Sequence, residues 1–387
     1  MAAKRTTKKP AVRPSALDPA SDPKALAKHV ADGYFRFDAA TTPALEGLAA
    51  LPVRGVVLGK KVKEAPGLVT LLETSRTIVD VVLYTAGLLE RAPRSTAVTS
   101  LTIEGATTKD LDFLRGFGEL RELSIGSRQT SLASFEGIAL CPKLTRLRAK
   151  QHLARTLAPL AALEHLEQLV APMAKNLGAL DGLVPSSLVH VDVNLSPIRD
   201  LAPLAGAAGL LALKMRGSKV SSITPLLGCS RLQTLYAERT ALTSIDGIGE
   251  RLRDLRLLWI GDTKVTDLAP LAGLDSLLDL DLTGLGRVTD FSVVARLPGL
   301  RYLNLFDTAF ADVGVLEVLP ELRRVHLGRT KVSPKDPRVK KLDAALRKRD
   351  RHGGVIFEAD AAMTPLSNSE AAFASIAYDP GSTHNPF

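Results

Sequence analysis

Two cysteines, seven histidines and a single tryptophan are the residues of this 387-residue chain with the most chemistry to offer. No histidine stands at metal-ligand spacing from another His, Cys or carboxylate. Cys141 and Cys229 have no histidine close in sequence to draw off a thiol proton, and the plain reading of each is a small buried apolar residue. Gly284 and Gly286 are not followed by the lysine that a phosphate-cradling loop needs, and Asn194-Leu195-Ser196 fits a glycosylation sequon only as a by-product of its place in a repeat. These residues point to no enzyme, no metal and no cofactor. What remains is recognition chemistry, because large aromatics and arginine dominate the energetic centres of interfaces. Trp259 follows Tyr236 by 23 residues, Tyr302 and Phe306 flank Asn304 further on, and Arg256, Arg301, Arg323, Arg324 and His326 border or continue the series.

The spacing belongs to a longer rhythm. A pattern of apolar, two others, apolar, one other, apolar begins at Val98 and returns every 22 to 24 residues, through Leu120, Leu144, Leu166, Leu188, Leu210, Leu232, Leu255, Leu277, Leu300 and Leu322. A fixed period of this length means a solenoid, whose units bury one another's apolar faces. In residues 255–276, Leu258 and Ile260 alternate inward on a short strand. Asp267 and Pro270 then suit a turn into a short helical or 3₁₀ segment, with Leu268, Leu271 and Leu274 facing back.

Strand alternation sends the intervening residues outward, and stacking turns them into a column. It runs Thr102, Ser124, Arg148, Val170, Asp192, Lys214, Tyr236, Trp259, Asp281, Asn304 and His326. Aromatics also stack across strands for structural reasons alone, worth ~0.2–1 kcal/mol per pair. The binding reading therefore rests on four aromatics, Tyr236, Trp259, Tyr302 and Phe306, lying within a span of four successive repeats. Arg146, Arg148 and Lys150, followed by Glu167 and Gln168, make the N-terminal half of the face a mixed-charge rim, a second contact zone or plain solubilising surface.

Period and wording resemble leucine-rich repeats of the 22-residue class found in bacterial internalins and in the phosphatase-1 regulator Sds22. The residues carrying the resemblance include Leu210-x-x-Leu213-x-Met215 with Val220, Ile223, Pro225 and Leu226, and Leu188-x-x-Val191-x-Val193 with Ile198, Asp200, Leu201, Pro203 and Leu204. The likeness covers about 60% of the chain. It implies an α/β solenoid, a horseshoe with a parallel β-sheet on the concave face and short helical or 3₁₀ turns on the convex face. It also implies a non-catalytic protein-interaction module, since bacterial leucine-rich ligases need a separate catalytic domain for which no length is left. Phosphatase regulation rests on that analogy alone. One position departs from the pattern: the usual Asn, three residues after the last apolar strand position, is replaced by Ser196, Ser218, Thr240, Thr263, Thr308 and Thr330. Hydroxyls both donate and accept, which predicts the same fold with a lighter ladder between neighbouring loops.

The formal net charge of +9 sits at the ends: residues 1–13 hold +5, residues 331–351 hold +6, and the rest sums to about −2. A basic clamp along the repeats is thereby disfavoured, and no stacking residues interleave with the terminal charges. A nucleic-acid-associated protein using these basic ends is the alternative reading. The first reading is a monomer that binds another protein, with neither nucleic acid nor membrane as partner. Residues 1–23 read as a disordered basic tail, either solvated or an electrostatic tether, and 359–387 as a second disordered tail. Residues 24–97 read as an N-terminal cap with degenerate repeats at Val53-x-x-Val56-x-Leu58 and Ile78-x-x-Val81-x-Leu83. Within it, 24–31 is expected to be helical, and Tyr34, Phe35 and Phe37 to form an apolar cluster. Residues 98–333 are the repeats, and 334–358 a C-terminal cap. That cap would comprise a helix from Pro337 carrying Val339, Leu342 and Leu346, then a strand at Val355-Ile356-Phe357. Cys141 and Cys229 occupy equivalent places four repeats apart, ~19 Å at the usual strand spacing, too far for a disulfide. Free thiols, no apolar secretory core and no membrane-length run predict a cytoplasmic protein. Export by a signal-independent route stays open through the polar, Pro-containing leader.

Overall fold

The computed structural model describes residues 23–89, 91–105, 109–126 and 131–358; apart from Pro23, the two expected tails lie outside them. Sixteen strands form one sheet in strict chain order. Neighbouring strands run parallel, except that Val30–Ala31 pairs antiparallel with Tyr34–Phe37. The alternation is the expected one. In the strand Leu257–Trp259, Leu258 and the following Ile260 are wholly buried while Trp259 is half-buried. The register aligns Tyr236, Trp259, Asp281, Asn304 and His326 on consecutive strands, so the outward column is a physical row. Each buried Leu of the inner rows is worth ~1.5–3 kcal/mol relative to exposure, which drives the stacking.

After each strand the chain returns through a short turn, many of them 3₁₀. At Ala202–Leu204 and Ala269–Leu271 a proline occupies the first turn. The carboxylates of Asp200 and Asp267 accept from the Ala202 and Ala269 amides, both at 2.8 Å. Acceptor and ring together start the turn, as read from the sequence.

A second periodic device links the coils. From Arg148 onward, three residues beyond each central outward position the backbone turns left-handed, at Gln151, Met173, Leu195, Gly217, Arg239, Asp262, Gly284, Asp307 and Arg329, with φ between 55° and 71°. This turn aims the amide at the next coil: Leu195 donates to the Arg216 carbonyl at 2.6 Å and Arg239 to Gly261 at 2.9 Å. The ladder between loops is therefore made by backbone. The threonine hydroxyls do something else. Thr240, Thr263, Thr308 and Thr330 each donate to the carbonyl three residues back in their own coil, at 2.7–2.8 Å. Of the six replacements, Ser196 reaches the preceding coil, accepting from Ala174 at 3.0 Å and donating to Ala171 at 3.3 Å. The expected hydroxyl ladder between loops is corrected accordingly.

The N-terminal helix covers only Pro23–Ala27, shorter than the 24–31 expected. Asp32 and Gly33, with φ of 54° and 78°, make a two-residue hairpin turn that takes Val30 and Ala31 into a strand. Tyr34–Phe37 is itself a strand on Gly55–Leu58, and Phe35 is wholly buried. At the other end the helix Pro337–Arg349 buries Val339, Leu342 and Leu346. Arg349 donates to the Leu319 and Leu322 carbonyls at 2.9 and 3.0 Å. The strand Gly354–Ile356 then pairs with Arg324–His326. Cys141 and Cys229 are both free and buried, and burial pushes the Cys141 thiol up to about 12, so it stays protonated. Among the described residues no helix is long and apolar enough to cross a membrane.

Candidate functional site

The Tyr236 and Trp259 rings stack on the outward row, centroids 4.4 Å apart and planes 16° from parallel. Parallel register between Thr234–Tyr236 and Leu257–Trp259 sets them side by side, which is why the 23-residue spacing matters. Lys214 Nζ stands 5.4 Å from the Tyr236 ring centre, a cation–π contact on the preceding strand. Trp259 Nε1 donates to Asp279 Oδ1 at 3.1 Å and so fixes the indole over the next strand. Burial raises the Tyr236 hydroxyl above its ordinary range, with Asp279 and Glu238 adding to the effect.

The other expected site residues divide into three groups. Asn304 shares the row and donates from Nδ2 to Asp281 Oδ2 at 2.8 Å, while its own Oδ1 accepts from the Phe306 amide at 3.0 Å. Arg256, Arg301 and Arg323 are half-buried and stand just before their strands, forming a line at the strand entrances rather than a ring around Trp259. Tyr302, His326 and Arg324 are not displayed as expected. Tyr302 is 7% exposed and His326 only 3%. The His326 ring lies tilted by 33° against Phe306, centroids 5.0 Å apart, and its Nε2 lies 3.0 Å from the Glu358 carbonyl. Arg324 donates to the His352 carbonyl through Nε at 3.2 Å. The closing segment thus occupies this end of the row. Arg329 lies over Phe306, 5.2 Å from its centre.

Beside Trp259 is a hollow of about 220 Å³ whose inner wall is acidic, and sequence reasoning did not find it. Asp279 and Asp281 line it from one strand, Glu238 from the turn after Thr234–Tyr236, and Arg216, Arg239 and Asp262 stand among its remaining lining residues. Asp279 is 5% exposed, and burial pushes its carboxyl up to about 7 against the pull of the Trp259 hydrogen bond. Burial likewise takes Glu238 to about 7 and raises Asp281, which accepts from the Thr283 amide and from Asn304. Gly261 is part of its wall, and a Cβ there would lie 2.6 Å from Asp281 Oδ1, so the carboxylate can approach this closely only because residue 261 is glycine. The signal available in sequence was the Asp279-Leu280-Asp281 alternation, which puts two carboxylates on one face. Its first member is buried because the indole reaches across it, a matter of ring orientation that alternation does not specify. Among the described residues no group of three or more His, Cys, Asp or Glu is placed to hold a metal.

No family model matches the chain. Leucine-rich repeat-containing protein 56 of Mus musculus is 36% identical over 97 residues, which is 25% of this chain and 16% of that protein. The match thus spans under a fifth of the relative's length. An internalin of Listeria monocytogenes superimposes with a TM-score of 0.63 at 17% identity, over 79% of this chain and 93% of the other. A leucine-rich-repeat protein of Leptospira interrogans gives 0.61 at 15%, over 89% and 100%. With a sixteen-stranded sheet among the described residues, parallel but for its first strand and joined by short turns, and with these neighbours, the chain has the leucine-rich-repeat fold.

Proposed function

We propose that the protein is a non-catalytic interaction module that holds a protein partner across the concave face, centred on Tyr236 and Trp259. The observation that carries the reading is the stacked, half-buried aromatic pair on the sheet's outward row, beside an open hollow. Rigid aromatics fixed by hydrogen bonds bind without a large loss of side-chain freedom. Asn304 and Phe306 extend the surface, and the entrance arginines supply a polar rim. A protein is favoured over nucleic acid because the basic helix Pro337–Arg349 has no aromatic ring among its charges. Two free buried thiols fit work in a reducing, cytoplasmic setting, and we read the module as a monomer.

Affinity capture from native lysate with wild type and with the Tyr236→Ala/Trp259→Ala double variant tests this. The double variant is expected to keep the wild-type circular dichroism and to lose the specifically recovered protein. Unchanged recovery by a folded double variant would overturn the reading.

A further inference from the structure

The hollow beside Trp259 holds carboxylates with which no cation of the described residues forms an ion pair, although Arg216 and Arg239 stand at its rim. Glu238 Oε2 is buried and has no hydrogen-bond partner among the described residues. Asp279, nine-tenths buried, uses Oδ1 for the indole N–H. Asp281 is already satisfied by Thr283 and Asn304. Of the nearby guanidinium groups, Arg239 pairs with Asp262 at 3.3 Å, and Arg216 is exposed. Among the described residues, none of the three inner carboxylates enters an ion pair within 4.0 Å. A buried acceptor left unmade is costly, and a buried carboxylate more so. The carboxylates are not arranged as metal ligands. An indole wall beside them suits an organic cation instead.

We propose that this hollow receives one basic side chain, lysine or arginine, of the polypeptide partner, its ammonium or guanidinium seated between Glu238 and Asp279 against Trp259. The assignment deepens the concave-face reading and rests on it. Gly261 keeps the seat open, and the stacked Tyr236 holds the indole upright. Because burial lets Asp279 and Glu238 keep protons until about pH 7, the arriving cation displaces protons, and binding tightens as pH rises.

Trp259 is the one tryptophan of the chain, so fluorescence of the full-length protein, excited at the red edge where tyrosine does not absorb, reports this spot. The probes are N-acetyl-arginine amide, N-acetyl-lysine amide and, as the neutral isostere, N-acetyl-citrulline amide, titrated at constant low ionic strength. At least one cationic amide is expected to give a saturable change, with citrulline at least ~tenfold weaker. The same affinity should rise from pH 5 to pH 8. Asp279→Asn keeps the acceptor for the indole and should abolish saturation, as should Gly261→Val. Gly261→Ala, a lighter filling, serves where the valine variant does not fold. Equal saturation by the citrulline amide, unchanged titrations in the folded variants, or a saturable response to MgCl₂ that Asp279→Asn removes would each overturn the proposal. Captured partner lost from Tyr236→Ala/Trp259→Ala but retained by Asp279→Asn and Gly261→Ala would overturn the hollow's role while leaving the interface standing. Partner retained by the double alanine variant would overturn the interface itself.

Discussion

His152 is wholly buried, packed edge-on against Phe135 with ring centroids 5.0 Å apart, and neither ring nitrogen has a partner among the described residues. Burial lowers its pKa from 6.5 to about 4. As pH falls below 6.5 the unfolded chain takes up a proton that the folded chain refuses until about 4. The stability this neutral ring supplies is therefore intact above pH 6.5 and lost on the way down to pH 4, a difference of ~3 kcal/mol. In urea melts at pH 7 and pH 4.5, His152→Leu should show a smaller acid-induced drop than wild type; an equal drop would remove His152 as its source. His190, also buried and lowered to about 4, leaves a residual slope. Legibility at this scale was uneven. Tyr236 and Trp259 could be placed side by side from sequence because the period fixes the register. The burial of His326 could not, since it depends on Phe306 and on a chain segment some thirty residues away closing over it.

At the level of elements, the coil was readable because the apolar spacing recurs in each repeat, and Asp-x-x-Pro at Asp200 and Asp267 marks the same turn in two of them. The left-handed loop position was not, since only two of its nine residues are glycine. Non-glycine residues there carry local strain, which the coil-to-coil amide bond offsets. Leu195 holds φ of 58° with its side chain 49% exposed, so little packing is lost on removing it. Leu195→Gly is expected to stabilise the protein by ~1 kcal/mol in denaturant melts; a destabilised variant would mean that the side chain matters more than the backbone. The hairpin at Asp32-Gly33 was legible in principle, because an Asp-Gly pair is a strong two-residue turn signal. The helical pattern of residues 24–31 obscured it.

For the whole molecule, the ordering of strands makes the ends decisive. Helix Pro337–Arg349 and strand Gly354–Ile356 cover the edge that Arg324–His326 would otherwise present. Deleting residues 334–358 should expose Leu327 and Val325 together with an unpaired strand, and yield a protein that associates on light scattering and melts earlier. A monodisperse deletion variant with wild-type melting would show that this segment is dispensable. Each strand meets only the strands before and after it, so tension applied at the two termini has no distant contact to break. The molecule would ravel like knitted yarn, one loop at a time, each releasing ~22 residues and ~75 Å of slack. The aromatic grip would slip only after the four strands that follow Trp259 had come away.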